Sequence, residues 1–381
     1  MRHPLHLIAV IGTAVLLSAP ATDAQERSRF EAGGYVKSLL VLTTPTSGES
    51  LTDYLAHLRL NTAWYPSDVL TAIMELRFRA YTGSSVEQTP AFARGLQNRS
   101  LAWNLDRIFW SGRRSVGYGE VDRLALAWSP PGALVTLGRQ RIAWGTNLVW
   151  NPIDVFNPRS VLDFDYEERP PVDGVRVQWY TGPVSKVEGA VKVGRGPRDV
   201  IAAGMWSFNV RGFDLRLCAG GGEERSFVGG GWAGEIFGGG FRGEILGSPR
   251  GGPYWSTSAA VSGDYTFPNT LYLHTEFLMN SEGVRVDAAA FRPVALQRGL
   301  LSPARFSIYQ EIAFDVTPLV RGTLFAILNP DDGSSVVVPS ISWNAAENLD
   351  VMGLLIYSRG DEGTEYGDYG RILFLRLRYS Y

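Results

Sequence analysis

The chain ends Leu373-Phe374-Leu375-Arg376-Leu377-Arg378-Tyr379-Ser380-Tyr381. Every second residue back from the terminus is apolar or aromatic: Tyr381, Tyr379, Leu377, Leu375, Leu373. The interleaved set is Ser380, Arg378, Arg376 and Phe374. A period of two belongs to a β-strand with unlike faces and is incompatible with a helix stripe. Two environments accept such a strand. One is a half-buried position in a soluble sandwich, and the other is a wall with lipid on one side and water on the other.

The opposite end of the chain bears on that choice. Arg2 and His3 precede an apolar stretch from Leu5 to Leu17, and small residues lead to Thr22-Asp23-Ala24. This layout reads as a signal peptide over 1–24, cut after Ala24, with one domain over 25–381. Beyond it no stretch approaches the roughly 18 apolar residues of a spanning helix. The chain nevertheless has 18 Phe, 16 Tyr, 11 Trp and 43 Gly at a mean hydropathy of −0.04. A barrel that hides its apolar band in alternation has this composition. So does a soluble all-β protein. A single cysteine, Cys218, excludes an intramolecular disulfide and a cysteine-based zinc site. The net charge of −2 gives no preference for nucleic acid.

Alternating segments recur through the chain, and connection length separates the two readings. The segments fall at 35–42, 55–65, 70–81, 122–129, 133–143, 174–180, 185–194, 201–208 and 213–220. They continue at 226–236, 238–247, 255–267, 270–280, 304–316, 320–329, 335–345, 348–358 and 369–381. That is eighteen, with sixteen as the competitor. Tight turns such as Pro66-Ser67-Asp68 and Pro130-Pro131-Gly132 alternate with long loops at 83–120, 145–173, 281–303 and 359–368. Short turns on one side and long loops on the other are the asymmetry of a membrane barrel. The expected fold is therefore an all-β transmembrane antiparallel barrel of 16–18 strands.

In its ending the chain resembles bacterial outer-membrane β-barrel proteins, whose last strand carries the signal read by the insertion machinery. The resemblance assigns that signal to Leu375, Leu377, Tyr379 and Tyr381. It implies the outer membrane of a Gram-negative cell, with outer-membrane lipid, lipopolysaccharide and the barrel-assembly machinery as partners. Homo-oligomerisation is left open.

Parity assigns faces. Lipid-facing Arg or Lys near the midplane costs about 2–4 kcal/mol, so charged sets should line the interior. The basic set is Arg59, Arg77, Arg79, Arg123, Arg139, Arg141, Arg176, Lys186, Lys192, Arg216, Arg242, Arg321, Arg376 and Arg378. The acidic set is Glu75, Glu188, Asp214, Glu235, Glu244, Glu276, Glu311 and Asp350, and His274 shares the face of Glu276. A wet, anion-tolerant lumen is one reading. Cross-strand ion pairing that only stabilises the wall is the other.

One motif stands out. Gly138-Arg139-Gln140-Arg141-Ile142-Ala143-Trp144-Gly145 runs into Asn151-Pro152-Ile153-Asp154-Val155-Phe156-Asn157-Pro158 and on to Arg169-Pro170-Pro171-Val172-Asp173. Here the chain resembles a porin-like group of outer-membrane proteins carrying G-R-Q-x-x-x-W-G, N-P-x-D-x-x-N-P and R-x-G-x-D. It is more distantly similar to alginate-export barrels. Pro171 stands where the group has Gly. Two Asn-Pro pairs forbid continuous helix, and Asp154 and Asn157 suit local side-chain-to-backbone turns. A loop so rich in turns and aromatics is expected to fold inward. On that reading Asp154, Asp163 and Asp165 oppose Arg139 and Arg141 across a constriction. The alternatives are a structural plug or a surface loop.

Catalytic chemistry is sparse. After residue 24 only His57 and His274 are histidines, and neither sits in a nucleophile motif. Asp331-Asp332-Gly333 reads as a turn, and the Gly-rich runs lack the Lys-Ser/Thr of a phosphate loop. No enzyme activity, metal or cofactor is expected. Three functions stay open: passive passage of small polar or anionic solutes, polymer export, and a plugged barrel serving as receptor, adhesin or scaffold.

Overall fold

The computed structural model describes residues 29–97, 101–157, 170–223 and 226–381. The expected signal peptide over 1–24 lies outside them, as do Asp163 and Asp165. The first strands are β1 (Phe30–Thr44), β2 (Leu51–Ser67), β3 (Leu70–Gly83), β4 (Asp106–Ser111), β5 (Ser115–Trp128) and β6 (Ala133–Gln140). There follow β7 (Val172–Gly182), β8 (Ser185–Val193), β9 (Ile201–Val210), β10 (Phe213–Gly221), β11 (Ser226–Ile236), β12 (Gly239–Pro249) and β13 (Trp255–Thr266). The last are β14 (Tyr272–Asn280), β15 (Phe306–Thr317), β16 (Val320–Leu328), β17 (Ser335–Ala346), β18 (Leu349–Arg359) and β19 (Arg371–Ser380). Helices α1 (Ser84–Gln88), α2 (Phe92–Gly95) and α3 (Ala288–Gln297) lie in the long loops.

All pairings are antiparallel between neighbours, and β1 pairs with β19 from Tyr35↔Ser380 to Thr44↔Arg371, so the sheet closes. Closure leaves no edge and satisfies every strand in lipid. Eighteen strands form the wall, matching the eighteen sequence segments one for one. The nineteenth, β4, is a loop strand. It and the first half of β5 fell within the expected loop 83–120. β6 is short and covers only Leu124–Trp128 of β5, while β4 covers Val116–Glu120 beside it. β4, although a loop strand, thus pairs with the stretch of β5 that β6 leaves uncovered.

The turns explain the tight rim. Arg211-Gly212 and Phe237-Gly238 both have positive φ at each central residue, the signature of two-residue hairpins that match strand twist. Near that rim Trp64, Trp128, Trp179, Tyr265, Trp343 and Tyr379 are exposed on the outward face. Near the loop rim Phe109, Trp110, Trp255, Phe306 and Tyr357 are exposed likewise. Two aromatic girdles around an aliphatic band suit a bilayer.

The inward face carries two buried clusters. One joins Ile142, Trp144, Ile153 and Phe156 to Ala190, Met205 and Cys218 on the wall. The other joins Trp150 to Leu278, Tyr309, Phe325, Val336, Val338, Leu354 and Ile356. Both clusters take residues from the segment after β6, so that segment is inside the barrel.

Candidate functional site

Residues 141–157 lie along the inner wall from β8 to β14, held by three buried carboxylates. Glu188 on β8 accepts from Trp144 Nε1 at 2.6 Å. Glu244 on β12 accepts from the backbone N–H groups of Thr146, Asn147 (3.0 Å) and Ile153 (3.0 Å), and from the Thr146 hydroxyl. Glu276 on β14 accepts from Val149 N at 3.1 Å and Trp150 N at 2.7 Å. Arg216 on β10 donates back to the Trp144 and Gly145 carbonyls. A non-regular backbone inside a barrel must find partners for its N–H groups, and buried carboxylates are strong acceptors. Inside the segment, Trp144 meets Phe156 edge-on at 5.0 Å. Asp154 Oδ1 accepts from Trp144 N at 3.1 Å, and Asn157 Nδ2 donates to the Ile142 carbonyl. These side chains therefore tie the two ends of the segment together, ten and fifteen residues apart, instead of closing the local turns expected of them. Backbone turns from Asp154 N to the Asn151 carbonyl (3.1 Å) and from Asn157 N to the Asp154 carbonyl (3.3 Å) are in place.

The expected opposition of Asp154 to Arg139 and Arg141 is not. Arg139 pairs with Asp173, its register partner on β7, through Nε–Oδ1 at 2.7 Å and Nη2–Oδ2 at 3.1 Å. Strand parity puts this pair with outward-facing Leu137 and Val175, and the segment at 103 covers it. Arg139 donates to the Trp103 carbonyl, and Trp103 N donates to Asp173 at 2.9 Å. Arg141, one residue past β6, is exposed. Placing Arg139 in the lumen failed because the outward face at the end of β6 meets a loop instead of lipid.

The wall opposite the segment is basic. Around β19, β1, β2, β3 and β5 the register sets Lys37 beside Arg378 and His57, Arg59 beside Arg77, and His57 beside Arg79; Leu39 faces Arg376. Carboxylates interleave. Arg59 meets Asp122 at 2.8 Å and also Glu75, while Arg77 meets Glu120 at 3.2 Å and Asp122 at 3.6 Å. Arg79 meets Glu120 at 3.0 Å, and Arg123 meets Asp122 at 3.2 Å. A bulge in β5 brings Asp122 into this network, because Glu75 pairs with Arg123 while Leu76 pairs with Val121. Lys37 and His57 escaped the sequence reading, although the parity of β1 and β2 would have found them.

The remaining pore candidates fall in three other groups. Arg176 and Lys186 converge on Glu188, at 2.7 Å and 3.1 Å. His274 Nε2 lies 3.5 Å from Glu276 and its Nδ1 3.8 Å from Glu311. Lys192 lines a cavity of about 370 Å³ on the loop side of Asn151–Val155, with Arg198, Arg250 and Arg298. Leu375, Leu377, Tyr379 and Tyr381 are exposed on the outward face, and Tyr381 exchanges backbone hydrogen bonds with Gly34.

No family model matches the chain, and no curated protein does. Solved structures do match in fold. OccAB4 of Acinetobacter baumannii aligns with a TM-score of 0.59 at 8% identity, covering 94% of this chain and 100% of that one. OccK5 (OpdH) of Pseudomonas aeruginosa aligns at 0.58 and 8% identity, covering 92% and 98%. OccD3 (OpdP) of the same organism aligns at 0.54 and 8%, covering 92% and 91%. The chain has the closed, porin-like eighteen-stranded fold of these barrels.

Proposed function

We propose that the protein is an outer-membrane channel of a Gram-negative cell for passive passage of small polar or anionic solutes. One observation carries this reading. The inward segment is bound along β8–β14, and the wall facing it bears Lys37, Arg59, Arg77, Arg79, Arg123, Arg376 and Arg378 against Glu75, Glu120, Asp122 and Asp350. Apolar packing narrows one side of the lumen and charge lines the other. A cationic excess on a narrow wet wall favours anions. The likeness to Occ barrels supports the fold this needs. Leu375, Leu377, Tyr379 and Tyr381 serve as the insertion signal, with lipid, lipopolysaccharide and the assembly machinery as partners.

A plugged barrel acting as a receptor is the second reading. It is favoured by the near-complete burial of Lys37, His57 and Arg59, each about 1% exposed. Reversal potentials in planar bilayers under a salt gradient separate the two. Open steps with an anion-biased reversal support the channel; a silent wild type supports the plug.

A further inference from the structure

A cavity of about 530 Å³ opens on the loop side of the basic wall, between β1, β2, β3 and β5 and beneath α1 and α2. Its volume lies within the roughly 300–1,000 Å³ of small-molecule sites. Two guanidiniums and two carboxylates make its polar floor: Arg77, Arg79, Glu120 and Asp122. Arg79 and Glu120 are each 13% exposed and touch at 3.0 Å, while Arg77 and Asp122 lie deeper. The Arg79 guanidinium is fixed between the Tyr118 ring (5.1 Å) and the Tyr81 ring (5.8 Å). Asp53 also lines the cavity, but its carboxylate accepts from Ser85 N and Oγ at 2.8 and 2.6 Å at the start of α1. Leu39, Leu55, Val86, Phe92, Leu96 and Phe374 give the remaining walls their apolar part, with Thr43, Tyr54, Tyr81, Thr82 and Ser85 among them.

Charge balance decides what suits such a floor. A simple anion at Arg79 sits beside Glu120, and a simple cation at Glu120 sits beside Arg79. Either one brings net charge into a poorly solvated site, where uncompensated charge is costly. A solute with an ammonium and a carboxylate on one carbon brings none and serves both neighbours. We propose that this cavity recognises a small zwitterion with an apolar body, an α-amino acid of the leucine or phenylalanine kind. Its carboxylate meets Arg79, its ammonium meets Glu120, and its side chain lies against Leu39, Leu55 and Phe92. The role of the site in permeation rests on the channel reading; the binding does not.

Calorimetry on the purified, folded barrel tests this with L-phenylalanine, 3-phenylpropionate, phenethylamine and glycine. Saturable binding of L-phenylalanine at least tenfold tighter than the other three is expected. Glu120→Gln should move the preference toward phenylpropionate, and Arg79→Gln toward phenethylamine, an inversion that general loosening of the wall does not give. Phenylpropionate binding as tightly as phenylalanine to the wild type, or no saturable binding of any probe, overturns the proposal. Conductance without phenylalanine binding refutes this site and leaves the channel reading standing. Phenylalanine binding to a barrel that never conducts does the reverse.

Discussion

Arg139 and Asp173 face each other across β6 and β7 as register partners, 2% and 0% exposed, with Nε 2.7 Å from Oδ1. Their neighbours Gly138 and Gly174 are also register partners. Gly138 has a φ of +119°, and a Cβ there would run into the Leu124 carbonyl. The pair closes the point where the wall strand ends, the inward segment begins, and the 103 region crosses over. Removing one member of a buried pair leaves the other uncompensated, which costs about 3–5 kcal/mol. Arg139→Ala should lower barrel stability by that order in denaturant titrations. The double variant with Asp173→Ala should lose less than the sum of the single losses, because neither charge is then stranded.

Cys218 reports on the inward segment. It is buried on the inner face of β10 and packs in the cluster that includes Trp144 and Ile153. Wild-type protein should resist maleimide labelling in the folded barrel. Glu244→Ala strands the N–H groups of Thr146, Asn147 and Ile153 and should raise the labelling rate at least tenfold. Equal rates would mean that Glu244 does not hold the segment.

Glycines on β11 make room for the same segment. A Cβ at Gly231 would lie 3.1 Å from Glu244 Cγ and the Gly243 carbonyl and 3.4 Å from Ile153 Cδ1. Gly231→Val overfills this contact, at a cost of about 1–3 kcal/mol. The expected result is a folded, heat-modifiable barrel whose Cys218 labels faster than wild type. Labelling at the wild-type rate would show that Ile153 does not need the gap.

Glu365 ties three loops together. Its carboxylate accepts from Ser302 Oγ and Asn329 Nδ2, each at 3.1 Å, while its own N–H donates to Asp332 at 2.8 Å. Arg292 in α3 donates to its carbonyl. Burial pushes the carboxyl above the usual carboxylate range, outweighing hydrogen bonds from Tyr366 and Ser302 and the nearby Arg292 charge. The folded loops therefore hold the proton more tightly than the unfolded chain does. This stabilisation is full below the ordinary carboxylate pKa and is lost as pH rises through the raised value. Limited proteolysis at 281–305 and 360–370 should speed up across that window in the wild type. In Glu365→Gln it should follow only the protease's own pH profile; a shared profile would contradict the assignment.

The strand pattern was legible because lipid and water enforce a period of two on every wall segment, and each of the eighteen segments met that demand. Inward-facing charge was legible for the same reason at Arg77, Arg79, Glu188, Glu244 and Glu276. Parity alone puts Arg139 on the outer face with Leu137; the lipid-cost argument moved it inward and failed there, because a loop replaces lipid. Parity could not reveal β4, whose Phe109 and Trp110 sit within a long loop. That residues 141–157 turn inward could be read from their turns and aromatics. Their partners could not, since the spacing from Thr146 to Glu244, or from Val149 to Glu276, reflects barrel closure and leaves no local trace.

The most direct test is single-channel recording of the wild type beside Glu244→Ala. The wild type should show discrete open steps with anion-biased reversal, and releasing the segment should enlarge the unitary conductance. Silence from both barrels, or identical conductance with no ion preference, would contradict a lumen narrowed by residues 141–157 and lined by the basic wall.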